Sequence, residues 1–249
     1  MHWVLIVFAV LAIAGAAGCF WYRARLGQEI VVMTSTATSR AADVASAPTG
    51  SRVEVKGQLQ CTAPLMAEFS GQPCVYHRSE ITREVVYYTT SSDGKRERKT
   101  RNETVHSNIQ HAACVVRDDS GSVVLKMDGA DVEGNQVVNR REQEDQSPVT
   151  TLLRVATGSN ETSTLKYSET ILAADIPVYV LGEVQPDHTI GAPAIGSKNR
   201  IFVVSQKTEE QRTGDLRRTM VWLLVGTIVL AVLSLVLGYF AITVRQGGA

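Results

Sequence analysis

The 249 residues carry 25 Lys and Arg against 25 Asp and Glu, a formal net charge of +0 with 20% charged residues. That balance excludes recruitment to nucleic acid or to an acidic substrate by overall charge, and leaves partners to be found by local surface. The apolar residues gather towards two ends of the chain, and the middle is long enough for one compact domain with its own core.

The first apolar stretch runs from Trp3 to Tyr22 and closes on Phe20, Trp21 and Tyr22, with Arg23 and Arg25 after them. Aromatic residues followed by arginine mark a membrane interface. No basic residue precedes Val4, so residues 1–25 read as a retained transmembrane anchor rather than a cleaved signal peptide. Residues 26–51 read as a connector outside the core. Met33 to Gly50 is rich in Ser, Thr and Ala, and one short helix is expected there with Ser39 as its cap.

From Arg52 the pattern alternates, with Val53, Val55 and Leu59 spaced for a strand. Strands are expected over Cys74–His77, Ile81–Thr90 and Lys99–His106, with a hairpin turn at Ser92, Asp93, Gly94 and Lys95. A second hairpin joins Ala113–Arg117 to Ser122–Met127 through Asp118, Asp119, Ser120 and Gly121. The polar run Asp128–Pro148 reads as a loop, and Leu165–Ala173, Val178–Gln185 and Arg200–Ser205 complete the strands of a domain at residues 52–207. Val53, Val55, Gly57 and Gln60 recur as Val178, Val180, Gly182 and Gln185, and Gly71 and Gly196 keep the same offset. The repeat admits two readings: a V-x-V-x-G pattern common wherever a strand bends, or two related strands meeting in one barrel.

Thr208 and Gln211 form a capping box for a juxtamembrane helix at 208–219 that continues into a second transmembrane helix at 220–244, before a tail at 245–249. The run Met220–Val244 has no charged residue before Arg245, and at about 1.5 Å per residue it exceeds a hydrocarbon core of roughly 30 Å. Arg23, Arg25, Arg212, Arg217 and Arg218 flank the middle domain, which predicts a two-span protein with that domain facing the cytoplasm. Cys19 lies in the first membrane stretch, and the remaining three cysteines are an odd number that favours a reducing compartment.

Four residues have metal-ligand chemistry, Cys74 with His77 and His111 with Cys114. Residues three apart on a strand point to opposite faces, so buried side chains are expected there instead of a zinc site, and no catalytic residue or cofactor is assigned. The densest basic cluster is the hairpin tip Lys95, Arg96, Arg98, Lys99 and Arg101, a candidate lipid contact or a solvated, edge-protecting face. Two sequons, Asn102-Glu-Thr104 and Asn160-Glu-Thr162, matter only in a secretory lumen.

The run Phe69, Ser70, Gly71, Gln72, Pro73, Cys74, Val75, Tyr76, His77, Arg78 resembles the signature of the GIDE family, whose animal members are mitochondrial membrane-bound ubiquitin ligases. Tyr167, Glu169, Ile171 and Leu172, then Val178 to Glu183 with Gly182, are similar to that family's later strand pair, and Phe202–Ser205 with Glu209 and Glu210 to its exit towards the membrane. The resemblance implies a domain beside a membrane, followed in the ligases by a zinc-binding RING. Only Arg245–Ala249 follow the second span here, and no Cys-x-x-Cys occurs, so the chain resembles a RING-less, bacterial-type member.

The expected fold is mainly β, a small, partly open OB-like barrel or β-rich domain bracketed by two transmembrane helices. The expected function is a membrane-anchored protein-interaction or scaffold module without its own catalytic site. Two alternatives stand beside it: a component of a ubiquitin-ligase-type system whose partner supplies catalysis, and a lipid- or nucleic-acid-binding OB-like domain. Membrane lipids, an unidentified protein partner and further copies of the chain are the expected partners, with nucleic acid not expected. The bacterial inner membrane is the favoured location, with the mitochondrial outer membrane as the alternative.

Overall fold

The computed structural model describes residues 2–90, 93–143, 162–197 and 200–246. Helix α1 (His2–Ser35) leads through a 3₁₀ turn (Ala41–Ser46) into thirteen strands: β1 (Arg52–Gln60), β2 (Leu65–Met66), β3 (Pro73–Cys74), β4 (Tyr76–Thr90), β5 (Arg96–His111), β6 (Cys114–Asp118), β7 (Gly121–Leu125), β8 (Asp131–Glu133), β9 (Asn135–Gln143), β10 (Thr162–Leu172), β11 (Ile176–Val184), β12 (Ile190–Gly191) and β13 (Val203–Ser205). Helix α2 (Glu209–Gln246) follows. The Thr208–Gln211 capping box forms as expected. Gln211 N–H donates to Thr208 Oγ1 at 3.3 Å, and Thr208 N–H donates to Gln211 Oε1 at 3.2 Å.

The β strands build two bodies. In the first, strands run in the order β1-β6-β7-β12-β11, and pairing of β1 with β11 closes them into a five-stranded barrel, with β13 and β8 continuing outward from β11. Closure rests on the repeated sequence. β1 and β11 pair antiparallel about Val55 opposite Val180, with Val53 opposite Gly182 and Gly57 opposite Val178, so the two related strands do meet. Both glycines are required by close approach: a Cβ on Gly57 would lie 2.5 Å from the Arg117 carbonyl oxygen, and one on Gly182 would lie 2.7 Å from Ile190 Cγ2. Val55, Leu59, Val116, Val180 and Ile190 fill the barrel, and each such side chain contributes about 1.5–3 kcal/mol by leaving water.

The second body is a four-stranded antiparallel sheet, order β5-β4-β10-β9. It joins the barrel at one end, where Val75, Tyr76 and Leu172 enter the barrel's core. Its longest strands reach about 50 Å at 3.3 Å per residue. The hairpin at Gly94, whose φ is 75°, has longer arms than the alternation suggests.

Three expectations need correction. The run Asp128–Pro148 is not a loop in its described part, because β8 and β9 occupy it. Polar residues of β9 pair with β10 on an exposed sheet, where no apolar alternation is needed; residues 144–148, like Asn160 of the second sequon, lie outside the described residues. The connector is not outside the core. Helix α1 runs on to Ser35, Val32 and Met33 pack against Tyr179, Leu181 and Val203 on the outside of β11 and β13, and Ala41 and Val44 sit inside the barrel's core. Ser39 is not the cap: its N–H donates to the Glu54 carbonyl at 2.7 Å, and the 3₁₀ turn is held instead by Asp118, whose Oδ2 accepts from Ala41 N–H at 2.8 Å.

Both helices are long and apolar enough to cross a membrane. They run antiparallel side by side, since Leu230 lies against Gly15 and Met220 against Gly27.

Candidate functional site

The motif residues Gly71, Pro73, Cys74, Tyr76, His77 and Glu169 converge at the base of the four-stranded sheet. Pro73 and Cys74 pair with Met66 and Leu65, which closes the loop 67–72, and Gly71 turns that loop with a φ of 63°. The buried carboxylate of Glu169 on β10 then holds the loop. Its Oε1 accepts from Phe69 N–H and its Oε2 from Ser70 N–H, each at 2.8 Å. Ser79 Oγ donates to Glu169 Oε1 at 2.7 Å, and His77 Nδ1 lies 3.1 Å from Ser79 Oγ. With the hydroxyl proton directed at Glu169, Ser79 accepts from His77, which fixes the tautomer with Nδ1 protonated. Phe69 stands edge-on to Tyr167 with ring centroids 5.6 Å apart, and the Arg140 guanidinium lies 4.8 Å from the Tyr167 ring centroid.

Burial alone would raise the pKa of Glu169, but the hydrogen bonds from Ser70, Phe69 and Ser79 outweigh it and hold the carboxyl below its ordinary value. Burial pushes the Cys74 thiol up, and the neighbouring Glu169 charge adds to this, while the side chain packs beside Ile171 and Ala67. Cys114 lies in the barrel's core, where burial pushes its thiol up to about 12 and its Sγ lies 3.6 Å from the Leu125 carbonyl. His111 is on the surface, with Nε2 3.2 Å from Asp128 Oδ1. The two cysteines thus belong to different clusters, and among the described residues no three Cys, His, Asp or Glu side chains are grouped to hold a metal.

A second polar cluster was not legible as a site. Arg212 on α2, its side chain 6% exposed, donates through Nη2 to Glu29 Oε1 of α1 at 2.8 Å and to Asp131 Oδ2 of β8 at 2.9 Å, with Nη1 2.9 Å from Glu133 Oε1. One guanidinium therefore ties both helices to the barrel. Nearby, buried Glu54 accepts from Thr38 Oγ1 at 2.7 Å and from Tyr179 O–H at 3.2 Å, while Lys56 Nζ lies 3.2 Å from Glu54 and 2.9 Å from Glu209 at the start of α2. Burial lowers the pKa of Lys56, but Glu209 and Glu54 more than offset it and the net direction is up. The available signal was Glu29, a lone carboxylate among apolar neighbours near the end of a membrane helix.

The hairpin tip is exposed, and its charges are partly matched. Arg96 lies 4.3 Å from the Tyr88 ring centroid, Arg101 pairs with Glu103 at 2.7 Å, and Lys99 lies 3.9 Å from Glu97. Lys95 and Arg98 are exposed beside them. The barrel core is filled with apolar side chains, the Glu169 carboxylate shapes a loop, and Arg212 clamps the two helices together.

No curated protein and no solved structure matches this sequence. A family model described as GIDE, E3 ubiquitin ligase, matches residues 83–238, from within β4 to well inside α2. The match begins after the Phe69–Arg78 run and takes in Glu169, Gly182 and the exit towards the second helix. It covers more than half of the sequence, and the chain belongs to the GIDE family.

Proposed function

We propose that the chain is a membrane-anchored interaction module of a ubiquitin-ligase-type system, which holds a protein partner beside the bilayer and leaves ubiquitin transfer to that partner. The observation that carries this reading is the outer strand of the four-stranded sheet. Among the described residues β5 pairs with β4 on one side only, and it is exposed along almost its whole length. Val105 and Ile109, 45% and 51% exposed, give it apolar anchors, and Val105 is the extra residue of a bulge, since Ile81 pairs with His106 and Thr82 with Thr104. A free strand edge with apolar side chains is a template for adding a partner's strand.

No Cys-x-x-Cys pair of the kind a RING uses occurs among residues 1–249, and on this reading ubiquitin transfer belongs to a partner. The arginines at 23, 25, 217 and 218 favour a cytoplasmic head, and with the bacterial inner membrane as the proposed location, protease protection of the middle domain in right-side-out cells is the expected outcome.

A photo-crosslinking residue placed at Ile109 in the full chain, in its own membranes, tests the proposal against the same residue at Val124 on the barrel. Adducts with a discrete protein at Ile109 alone are expected, together with ubiquitin transfer that requires that protein and a carrier enzyme. Transfer by the purified chain and a carrier enzyme alone, or the same adducts at both positions, contradicts it.

A further inference from the structure

The two helices fix where the bilayer surface lies. On α1 the apolar run ends at Phe20, Trp21 and Tyr22, and on α2 it starts at Met220, with Trp222 two residues on. Trp21 and Trp222 are 65% and 75% exposed, and the antiparallel alignment that sets Gly27 beside Met220 brings the tryptophans within about one helical turn of each other. Such a belt marks the headgroup region.

Directly beyond that belt is a cavity of about 380 Å³ between α1 and the barrel. Arg25, Gln28 and Glu29 line it from α1, Asp131 from β8, and Arg200 with the residues leading into β13 from the other side. Its two carboxylates are already engaged, since Glu29 and Asp131 both accept from Arg212. Arg25 and Arg200 are exposed, and neither has an ion-pair or hydrogen-bond partner among the described residues. Two unpaired guanidiniums facing one cavity suit a phosphate, because each fork can give two parallel N–H bonds to its oxygens. The cavity's place beside the belt selects the source: phosphate held at that depth belongs to lipid.

Resting on the membrane-anchored reading, we propose that this cavity binds the headgroup phosphate of an anionic phospholipid, with Arg25 and Arg200 as its contacts. The lipid contact is thereby assigned to the junction of helix and barrel and not to the hairpin tip.

Native mass spectrometry of the full chain in mild detergent, titrated with phosphatidylglycerol, phosphatidylcholine or inorganic phosphate, tests this. Retention of one phosphatidylglycerol per chain at least about tenfold more tightly than phosphatidylcholine is expected, the scale of two arginines meeting an anionic headgroup. Arg25→Gln with Arg200→Gln should remove the preference, each single variant should weaken it, and Arg96→Gln with Arg98→Gln at the tip should leave it intact. The exposed positions of Arg25 and Arg200 allow the variants to keep the parent's thermal unfolding, and the single variants serve if the double one does not. Equal retention of both lipids, a preference untouched by the double variant, or inorganic phosphate competing as well as the lipid overturns the proposal. A chain released from membranes by alkaline carbonate would instead remove the anchored reading, while a chain that stays but shows no lipid preference removes the cavity assignment alone.

Discussion

The barrel and the four-stranded sheet are built of the same kind of strand and stabilised in opposite ways. The barrel has an apolar interior, a closed hydrogen-bond circuit through β1 and β11, and a membrane-side face tied to two helices by Arg212. The sheet has its one dense cluster at its base, where Glu169 organises a loop, and beyond that its strands expose Tyr88, Val105 and Ile109. Burial makes the first a fixed platform, and the lack of it leaves the second as a surface for presentation. On the proposed reading, position follows from one body and recognition from the other.

The largest effect on that contrast is expected from Arg212→Met. It removes the buried cation from between Glu29, Asp131 and Glu133, at a cost of about 3 kcal/mol, the low end for breaking a buried pair because Asp131 and Glu133 are 68% and 33% exposed. Thermal unfolding in detergent should show the loss, and hydrogen exchange should rise in β8, β13 and the start of α2 while the Glu169 loop keeps its protection. Uniform loss across both bodies would show that they are one cooperative unit.

Gly134→Ala comes next. Gly134 joins β8, at the outer edge of the barrel's sheet, to β9 of the four-stranded sheet, and a Cβ there would sit 2.2 Å from the Ile171 carbonyl oxygen, so backbone must move. About 1–3 kcal/mol of destabilisation is expected from such crowding, with exchange rising on both sides of the joint.

Glu169→Gln should act on the sheet alone. It weakens hydrogen bonds to a charged acceptor, each worth about 1.5–3 kcal/mol, and frees the loop 67–72 without touching the barrel. Because the folded-state pKa is below the ordinary value of 4.5, the stabilisation from Glu169 is full above that value and is lost as pH falls from there through the folded pKa. Stability of the parent should therefore drop in that acid window more steeply than that of the Gln variant. Parallel pH profiles would contradict the role of the carboxylate.

Thr208→Ala removes one half of the capping box and should cost about 1 kcal/mol at the start of α2. The smallest effect is expected at the hairpin tip, where Arg98→Gln should change stability by less than about 0.5 kcal/mol. A larger loss would mean that the tip packs against something.

How much of this could be read from residues alone follows the same division. The barrel strands announced themselves through alternation, and the repeat of Val53, Val55 and Gly57 at Val178, Val180 and Gly182 pointed to the pair that closes the barrel. Both helices were legible because a bilayer demands uninterrupted apolar length. The strand Asn135–Gln143 was not, since a sheet open to water needs no apolar face and its residues match a loop in polarity. Nor was the burial of Ala41 and Val44, because small residues after an apolar helix look like a linker until the β6–β7 hairpin that holds them is known. The motif around Gly71 and Glu169 was visible as a resemblance, but its purpose depends on partners about 100 positions apart in sequence, Phe69 and Glu169, which no local pattern links. Arg212 was legible only as a flanking charge, and its three carboxylates come from two segments far from it in sequence, Glu29 on α1 and Asp131 with Glu133 on β8.

The claim on which platform and presentation both depend is that two helices hold the barrel at a bilayer. Membranes carrying the full chain, washed in alkaline carbonate and sedimented, measure it directly. Recovery of the chain in the pellet, released only by detergent, is the predicted result; recovery of the intact chain in the carbonate supernatant would contradict it.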